Sequence, residues 1–265
     1  MSGAEVEWLS SPDNGVRLGR TGEGPVVEWA GIGRLVVSRS GEHTFRPGTD
    51  VDAEALRKFR ATDLLACQRY LGGHPSLHGS AVAWACGAVA LVGESGAGKS
   101  TTAMALVERT GAAFIADDIV PLEASDEQIV IGPVDDCFWL EADACAWFGV
   151  AGASSRKTPV VPRVREQGPS LLRSIVQLVF DEGAREPELT RITGQEAFVV
   201  LSRSQVSFSF GLADAVVRDL EDRSRLAASI SILRLRRRRS MDALDAVANL
   251  LANSASAGPA KESLR

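Results

Sequence analysis

Gly93-Glu94-Ser95-Gly96-Ala97-Gly98-Lys99-Ser100 is the stretch on which the reading of this chain turns. It fits G-x-x-x-x-G-K-[ST] at every fixed position, the pattern of a loop that wraps phosphate. Its glycines let backbone N–H groups turn inward around phosphate oxygens. The lysine reaches the β and γ phosphates, and the hydroxyl after it ligates Mg²⁺. Gly93, Ser95, Gly96, Ala97, Gly98, Lys99, Ser100 and Thr101 are therefore the candidate nucleotide-binding residues, with Ser100 on the metal. The flanks agree. Ala88–Val92 is a short apolar run that predicts a buried strand. Thr101–Arg109 predicts a helix whose N-terminus faces the phosphates. ATP and Mg²⁺ are the cofactors this implies.

Upstream, Leu77–Trp84 is a second strand-like run, separated from the first by Ala85-Cys86-Gly87. The pair predicts a β-hairpin feeding the loop, whereas most phosphate-binding loops are entered from a parallel strand. Downstream, Gly111 stops the helix and Ala113–Ala116 predicts a strand ending in Asp117-Asp118. Phosphoryl transfer needs a carboxylate to take or orient the hydroxyl proton, and a metal to spread charge. Asp117 is assigned as the base and Asp118 as the metal-associated carboxylate. Adjacent strand residues point to opposite faces, so both reach the phosphates only if the chain bends there.

Other residues carry two readings each. His78, at the start of the hairpin, is either structural or a catalytic-site residue near the γ-phosphate. Ser154-Ser155-Arg156-Lys157 lies in a long Ser/Pro/Lys/Arg-rich loop, 149–167. It is either a solvated surface or a cation source for the transition state, with Lys157 the better catalytic candidate. Gln177–Glu182 ends in Asp-Glu, as the acidic strand end of many ATPases does, yet runs into a charged, turn-like segment. Arg234 and Arg236–Arg239 form the one strong charge run, read as a solvated strand end or a dock for an acidic partner.

The 265 residues carry 29 Lys+Arg and 34 Asp+Glu, a net charge of −5. That balance gives no reason to expect nucleic-acid binding. No apolar run is long enough to cross a membrane, and Met1–Trp8 lacks a basic and apolar leader pattern. Cys67, Cys86, Cys137 and Cys145 have no metal-type spacing and read as reduced core residues of a cytoplasmic protein. Residues 1–72 read as a β-rich N-terminal subdomain, with turns at 12–15 and 22–25, plus a helix over 52–71. Residues 73–253 read as the kinase domain, and 254–265 as a disordered tail.

The stretch Leu77–Leu122 resembles HPr kinase/phosphorylase and its shorter relatives. The shared pattern is His-Gly, a strand, a turn, the loop strand, Gly-x-Ser-Gly-x-Gly-Lys-Ser, a helix and Ala-Asp-Asp. The resemblance implies an α/β fold with a P-loop core of the HPr kinase and phosphoenolpyruvate carboxykinase type. It also implies a kinase acting on a serine hydroxyl, and assembly into homo-oligomers. The family's catalytic aspartate falls on Asp117, its loop lysine and serine on Lys99 and Ser100, and its histidine on His78. Thr101 stands where full HPr kinases carry glutamate. Their second signature has no counterpart between Ile129 and Gly149. The shorter, lasso-peptide-type branch, which phosphorylates a serine of a ribosomally made precursor peptide, fits the length better. A peptide or protein substrate is the expected partner. A small-molecule kinase and an ATPase using Glu182 are the alternatives.

Overall fold

The computed structural model describes residues 6–9, 15–38, 40–125, 128–151, 157–208 and 213–257. The chain forms two compact units, Met1–Gly73 with Phe208–Leu212, and His74–Ser207 with Ala213–Arg265.

The first unit holds a five-stranded antiparallel meander: β1 (Glu7–Trp8), β2 (Val16–Arg20), β3 (Pro25–Trp29), β4 (Gly33–Val37) and β5 (His43–Pro47). Alternation decides its faces. Leu35 and Val37 point into a core with Val27, Trp29, Phe59, Leu64 and Cys67. On the outer face Glu28 takes Arg17 and Arg34 as ion-pair partners. Asp52 caps α1 (Ala53–Phe59) by accepting from the Ala55 amide at 2.9 Å. The expected single helix over 52–71 is interrupted by a π-helical turn, Arg60–Leu64, before α2 (Leu65–Leu71). Of the predicted turn at 12–15, residues 12–14 lie outside the described residues.

The second unit is built on a nine-stranded sheet. The predicted hairpin is present as β6 (Ser76–Trp84) and β7 (Gly87–Val92), paired Gly79↔Val92 through Trp84↔Gly87. After α3 (Lys99–Thr110) come β8 (Ala113–Ala116), β9 (Ile119–Pro121), β10 (Glu123–Ser125), β11 (Gln128–Ile131) and β12 (Phe138–Leu140). Then follow α4 (Ala142–Trp147), β13 (Thr158–Val160), β14 (Ser170–Phe180), β15 (Glu188–Arg191), α5 (Gly194–Ser204), α6 (Ala213–Ser229), β16 (Ser231–Arg237) and α7 (Leu244–Ala257). Three parallel strands, β7, β14 and β16, run side by side. The hairpin partner β6 is antiparallel to β7 and carries β8 and β9 on its far edge.

Both sheet faces are covered, so β7 is apolar throughout. Ala88, Ala90 and Val92 face one core with Val200, Leu201 and Leu226 from α5 and α6. Val89 and Leu91 face the other, with Met104, Leu106 and Val107 of α3 and Val247 and Leu251 of α7. Gly111 closes α3 in the left-handed conformation, φ 70°, which a glycine adopts without strain. All four cysteines are free. Helix α7 runs to Ala257, past the expected end of order at 253, and residues 258–265 lie outside the described residues. Among the described residues no helix is long and apolar enough to cross a membrane.

Candidate active site

The loop between β7 and α3 is shaped by glycines at φ 146°, 79° and 81°, Gly93, Gly96 and Gly98. At two of them there is also no room. A β-carbon on Gly93 would meet the Leu178 carbonyl oxygen at 2.9 Å, and one on Gly98 would meet Arg237 Nη2 at 2.6 Å. Lys99, 7% exposed, folds back and donates to the carbonyls of Gly93 at 3.0 Å and Glu94 at 3.2 Å. Desolvation lowers its pKa, Asp118 raises it, and Lys157 lowers it further.

At the end of β8 the chain makes the required bend. Asp118 has φ 62°, the single left-handed non-glycine among the described residues. Aspartate tolerates this conformation better than most residues. The turn is held by the Gly79 amide donating to the Asp118 carbonyl at 3.0 Å and the Ile119 amide donating to the Asp117 carbonyl at 2.8 Å. The two carboxylates end up in unlike places. Asp117 is 1% exposed. Its Oδ1 accepts from Ser80 Oγ at 2.5 Å and its Oδ2 from the Trp139 amide at 2.9 Å. It also accepts a hydrogen bond from Ser100. Asp118 is half-buried and lines an open cavity.

That cavity measures about 600 Å³. Its walls include His78, Ser95, Gly96, Gly98, Lys99, Ser100, Thr101, Asp118 and Lys157. Gly93 and Ala97 are not on its wall: Gly93 turns its carbonyl to Lys99, and Ala97 packs into the core beneath. Asp117 stands behind Ser100. The His78 imidazole stands beside the Asp118 turn; partial desolvation and the Lys99 ammonium lower its pKa while Asp118 raises it. Of the predicted loop cluster, Lys157 reaches the cavity, and Ser154, Ser155 and Arg156 lie outside the described residues.

The rival acidic strand end is a turn. Asp181 Oδ1 accepts from the Gly183 amide at 2.9 Å, and Glu182 is exposed and absent from the cavity wall. The arginine run is not simply a solvated strand end. Alternation along β16 sends Arg236 outward and buries Arg237 at 3% exposure. Arg234 is held by Gln177 at 2.9 Å and Glu196 at 2.6 Å.

Several wall residues were missed by sequence reasoning: Trp139, Glu141, Asp143, Phe180, Arg237, Arg239, Ser240 and Met241. One signal for Arg237 was available, since strand alternation places it on the same face as the buried Leu235, two residues before it.

The donor set suits a magnesium nucleotide. Ser100 and the neighbouring carboxylates are hard oxygen donors, the kind Mg²⁺ takes. Two of the three loop glycines, Gly93 and Gly98, leave no room for a side chain, and among the described residues the buried Nε of Arg237 has no hydrogen-bond partner.

Burial pushes the Asp117 carboxyl up to about 6; Asp118 adds to this, and the bonds from Ser80, Trp139 and Ser100 oppose it. A carboxyl whose folded pKa exceeds its unfolded value stabilises the fold when protonated. That contribution is full below about pH 4 and is lost as pH rises through 6. With the folded carboxyl near 6, it is on the order of 3 kcal/mol. The ligand-free Asp117→Asn variant is expected to lose this pH dependence. Its melting temperature relative to wild type should rise between pH 4 and pH 7. Parallel curves would show that Asp117 does not titrate in this window.

Comparisons with known proteins give a family-model match over part of the chain and a distant structural likeness. Residues 69–139 match the model of the HPr Serine kinase C-terminal domain. This span contains the β6–β7 hairpin, the glycine loop, α3 and the Asp117-Asp118 turn. Among solved structures, the HPr(Ser) kinase/phosphatase from Coxiella burnetii is similar at 13% identity and a TM-score of 0.37. The match covers 68% of this chain and 95% of that one. No curated protein matches.

Proposed function

Through residues 69–139 this chain is HPr-kinase-like, and from that premise we propose that it is an ATP- and Mg²⁺-dependent kinase of a serine or threonine hydroxyl on a peptide or protein. One observation carries the reading. Lys99, Ser100, Asp118, His78 and Lys157 line a single cavity at the N-terminus of α3. ATP·Mg²⁺ supplies the transferable phosphoryl group and the charge that spreads over it.

The residues divide the work by position. The loop amides, with Lys99 released from the Gly93 and Glu94 carbonyls, hold the phosphates. Ser100 offers the metal its hydroxyl, oriented by Asp117 from behind. Asp118 takes the acceptor proton, because its carboxylate is the one open to the cavity. This reverses the expected roles of Asp117 and Asp118. Its ground is the burial of Asp117, both of whose oxygens already accept hydrogen bonds. His78 and Lys157 flank the transferring group. His78 lies beside the Asp118 turn, next to the carboxylate that takes the proton. Lys157 adds positive charge where negative charge develops. A ribosomally made precursor peptide is the candidate substrate.

The test is transfer of phosphate from ATP·Mg²⁺ to candidate peptides, read by intact mass. A gain of one phosphate on a serine or threonine supports the reading. ATP consumption with no peptide modified would move it to a small-molecule acceptor. Glu182→Gln is expected to leave turnover within about two-fold, since that side chain is exposed on a turn and off the cavity wall. A loss of ATP turnover in this variant would favour the water-activating ATPase reading.

A further inference from the structure

Arg237 carries a charge that no described residue neutralises. It closes β16, in register with Phe180 of β14, and is 3% exposed. Among the described residues no carboxylate lies within ion-pair distance of it. Its hydrogen bonds are long: Nη2 to the Ala97 carbonyl and to Thr102 Oγ1 at 3.4 Å each, Nη1 to the Arg238 carbonyl at 3.4 Å. Its Nε is buried, with no partner among the described residues. Desolvation lowers its pKa to about 10, so it stays charged at neutral pH. A buried cation without a counter-charge is costly to a fold. The cost has a purpose if an anion completes the site.

The surroundings say what kind of anion. Arg237 abuts the loop so closely that Gly98 has no room for a β-carbon. Its guanidinium carbon lies 4.7 Å from the Phe180 ring centre, and that of the exposed Arg239 lies 5.3 Å from the same ring. All three side chains line the same cavity as Lys99 and Ser100. A planar ring and a planar cation beside a phosphate-binding loop offer stacking surfaces to a nucleobase.

We propose that Arg237, Phe180 and Arg239 form the nucleoside arm of this cavity, taking a purine nucleoside di- or triphosphate. Arg237 provides the counter-charge for the polyphosphate, and Phe180 with Arg239 provides the stacking surface for the base. The inference rests on the nucleotide reading of the site and adds where the nucleoside end lies.

Titration calorimetry with ADP and with pyrophosphate, on the full chain, separates the two roles. Arg237→Met is expected to weaken both ligands by about 10- to 100-fold, the worth of a charge-assisted contact. Its melting temperature without ligand should equal or exceed that of wild type, because an uncompensated buried charge is gone. Arg237→Lys should recover part of the binding. Phe180→Ala is expected to weaken ADP by about ten-fold or more, the value of one stacked base, and to leave pyrophosphate unchanged. Arg239→Ala should follow Phe180→Ala. If Arg237→Met does not fold, the Phe180 and Arg239 variants carry the test.

A lower ligand-free melting temperature with unchanged ADP affinity in Arg237→Met would assign Arg237 to structure alone and overturn the proposal. Equal loss of ADP and pyrophosphate in Phe180→Ala would overturn the stacking role. Wild-type protein that binds ADP in this pattern but phosphorylates no peptide would sink the kinase reading and leave the nucleoside arm standing.

Discussion

Asp118→Asn should reduce phosphoryl transfer by about 10²- to 10⁴-fold, the usual contribution of a positioned general base. ATP affinity should change by no more than a few fold. The asparagine is chosen for the backbone. Asp118 sits at φ 62°, where asparagine is tolerated and alanine is strained. The substitution therefore removes the charge and keeps the turn that the Gly79 amide grips. Asp117→Asn should behave differently. Its side chain bonds Ser80, the Trp139 amide and Ser100, so the loss should be felt through the metal-ligating hydroxyl. The expected signature is a higher Mg²⁺ concentration for half-maximal rate. The two variants should be compared over a magnesium series with ATP saturating. If Asp117→Asn loses rate at every magnesium concentration while Asp118→Asn shows only the magnesium shift, the roles are the other way round.

Lys99→Met is expected to show a second large effect, a fall in kcat/KM for ATP of about 10²- to 10³-fold, comparable to removing one preorganised charge from a developing oxyanion. Its effect on stability should be small. In the ligand-free loop the Lys99 ammonium bonds two carbonyls, of Gly93 and Glu94, and its burial opposes its charge. Replacing it with an apolar side chain of similar length removes both the bonds and the desolvation. Thermal melts with and without ATP would show this as a preserved ligand-free transition and a lost ATP-dependent shift. A collapse of the ligand-free transition would instead make Lys99 a structural strut of the empty loop.

Much of the site lay open in the sequence because much of it is local. The glycine loop, the strand before it and the helix after it are one continuous run, and the hairpin is announced by the turn at Ala85-Cys86-Gly87. The strand before Asp117 was equally plain. What escaped was set by distant partners or by single dihedral angles. No periodicity reveals that Asp118 turns left-handed, so the unequal burial of the two aspartates was out of reach. The arginine run looked uniform in one dimension. Strand alternation hints at Arg237, and pairing with β14, Phe180 opposite Arg237, separates the buried arginine from its exposed neighbours. The π-helical turn at Arg60–Leu64 likewise leaves no mark in an apolar helical pattern.

The pairing of β14 with β16 also has a consequence for how the protein is made. Most of the cavity residues proposed to handle the hydroxyl and the phosphates, those from His78 to Asp118, are synthesised early and lie close along the chain. Arg237 meets Ala97 across 140 residues of sequence. A nascent chain that has completed the glycine loop therefore still lacks one wall of its cavity. It gains that wall only when β16 inserts beside β14, a non-local step of the kind that slows folding. Nucleotide present during synthesis would act as a late clamp on the finished fold, and not as a template for its beginning.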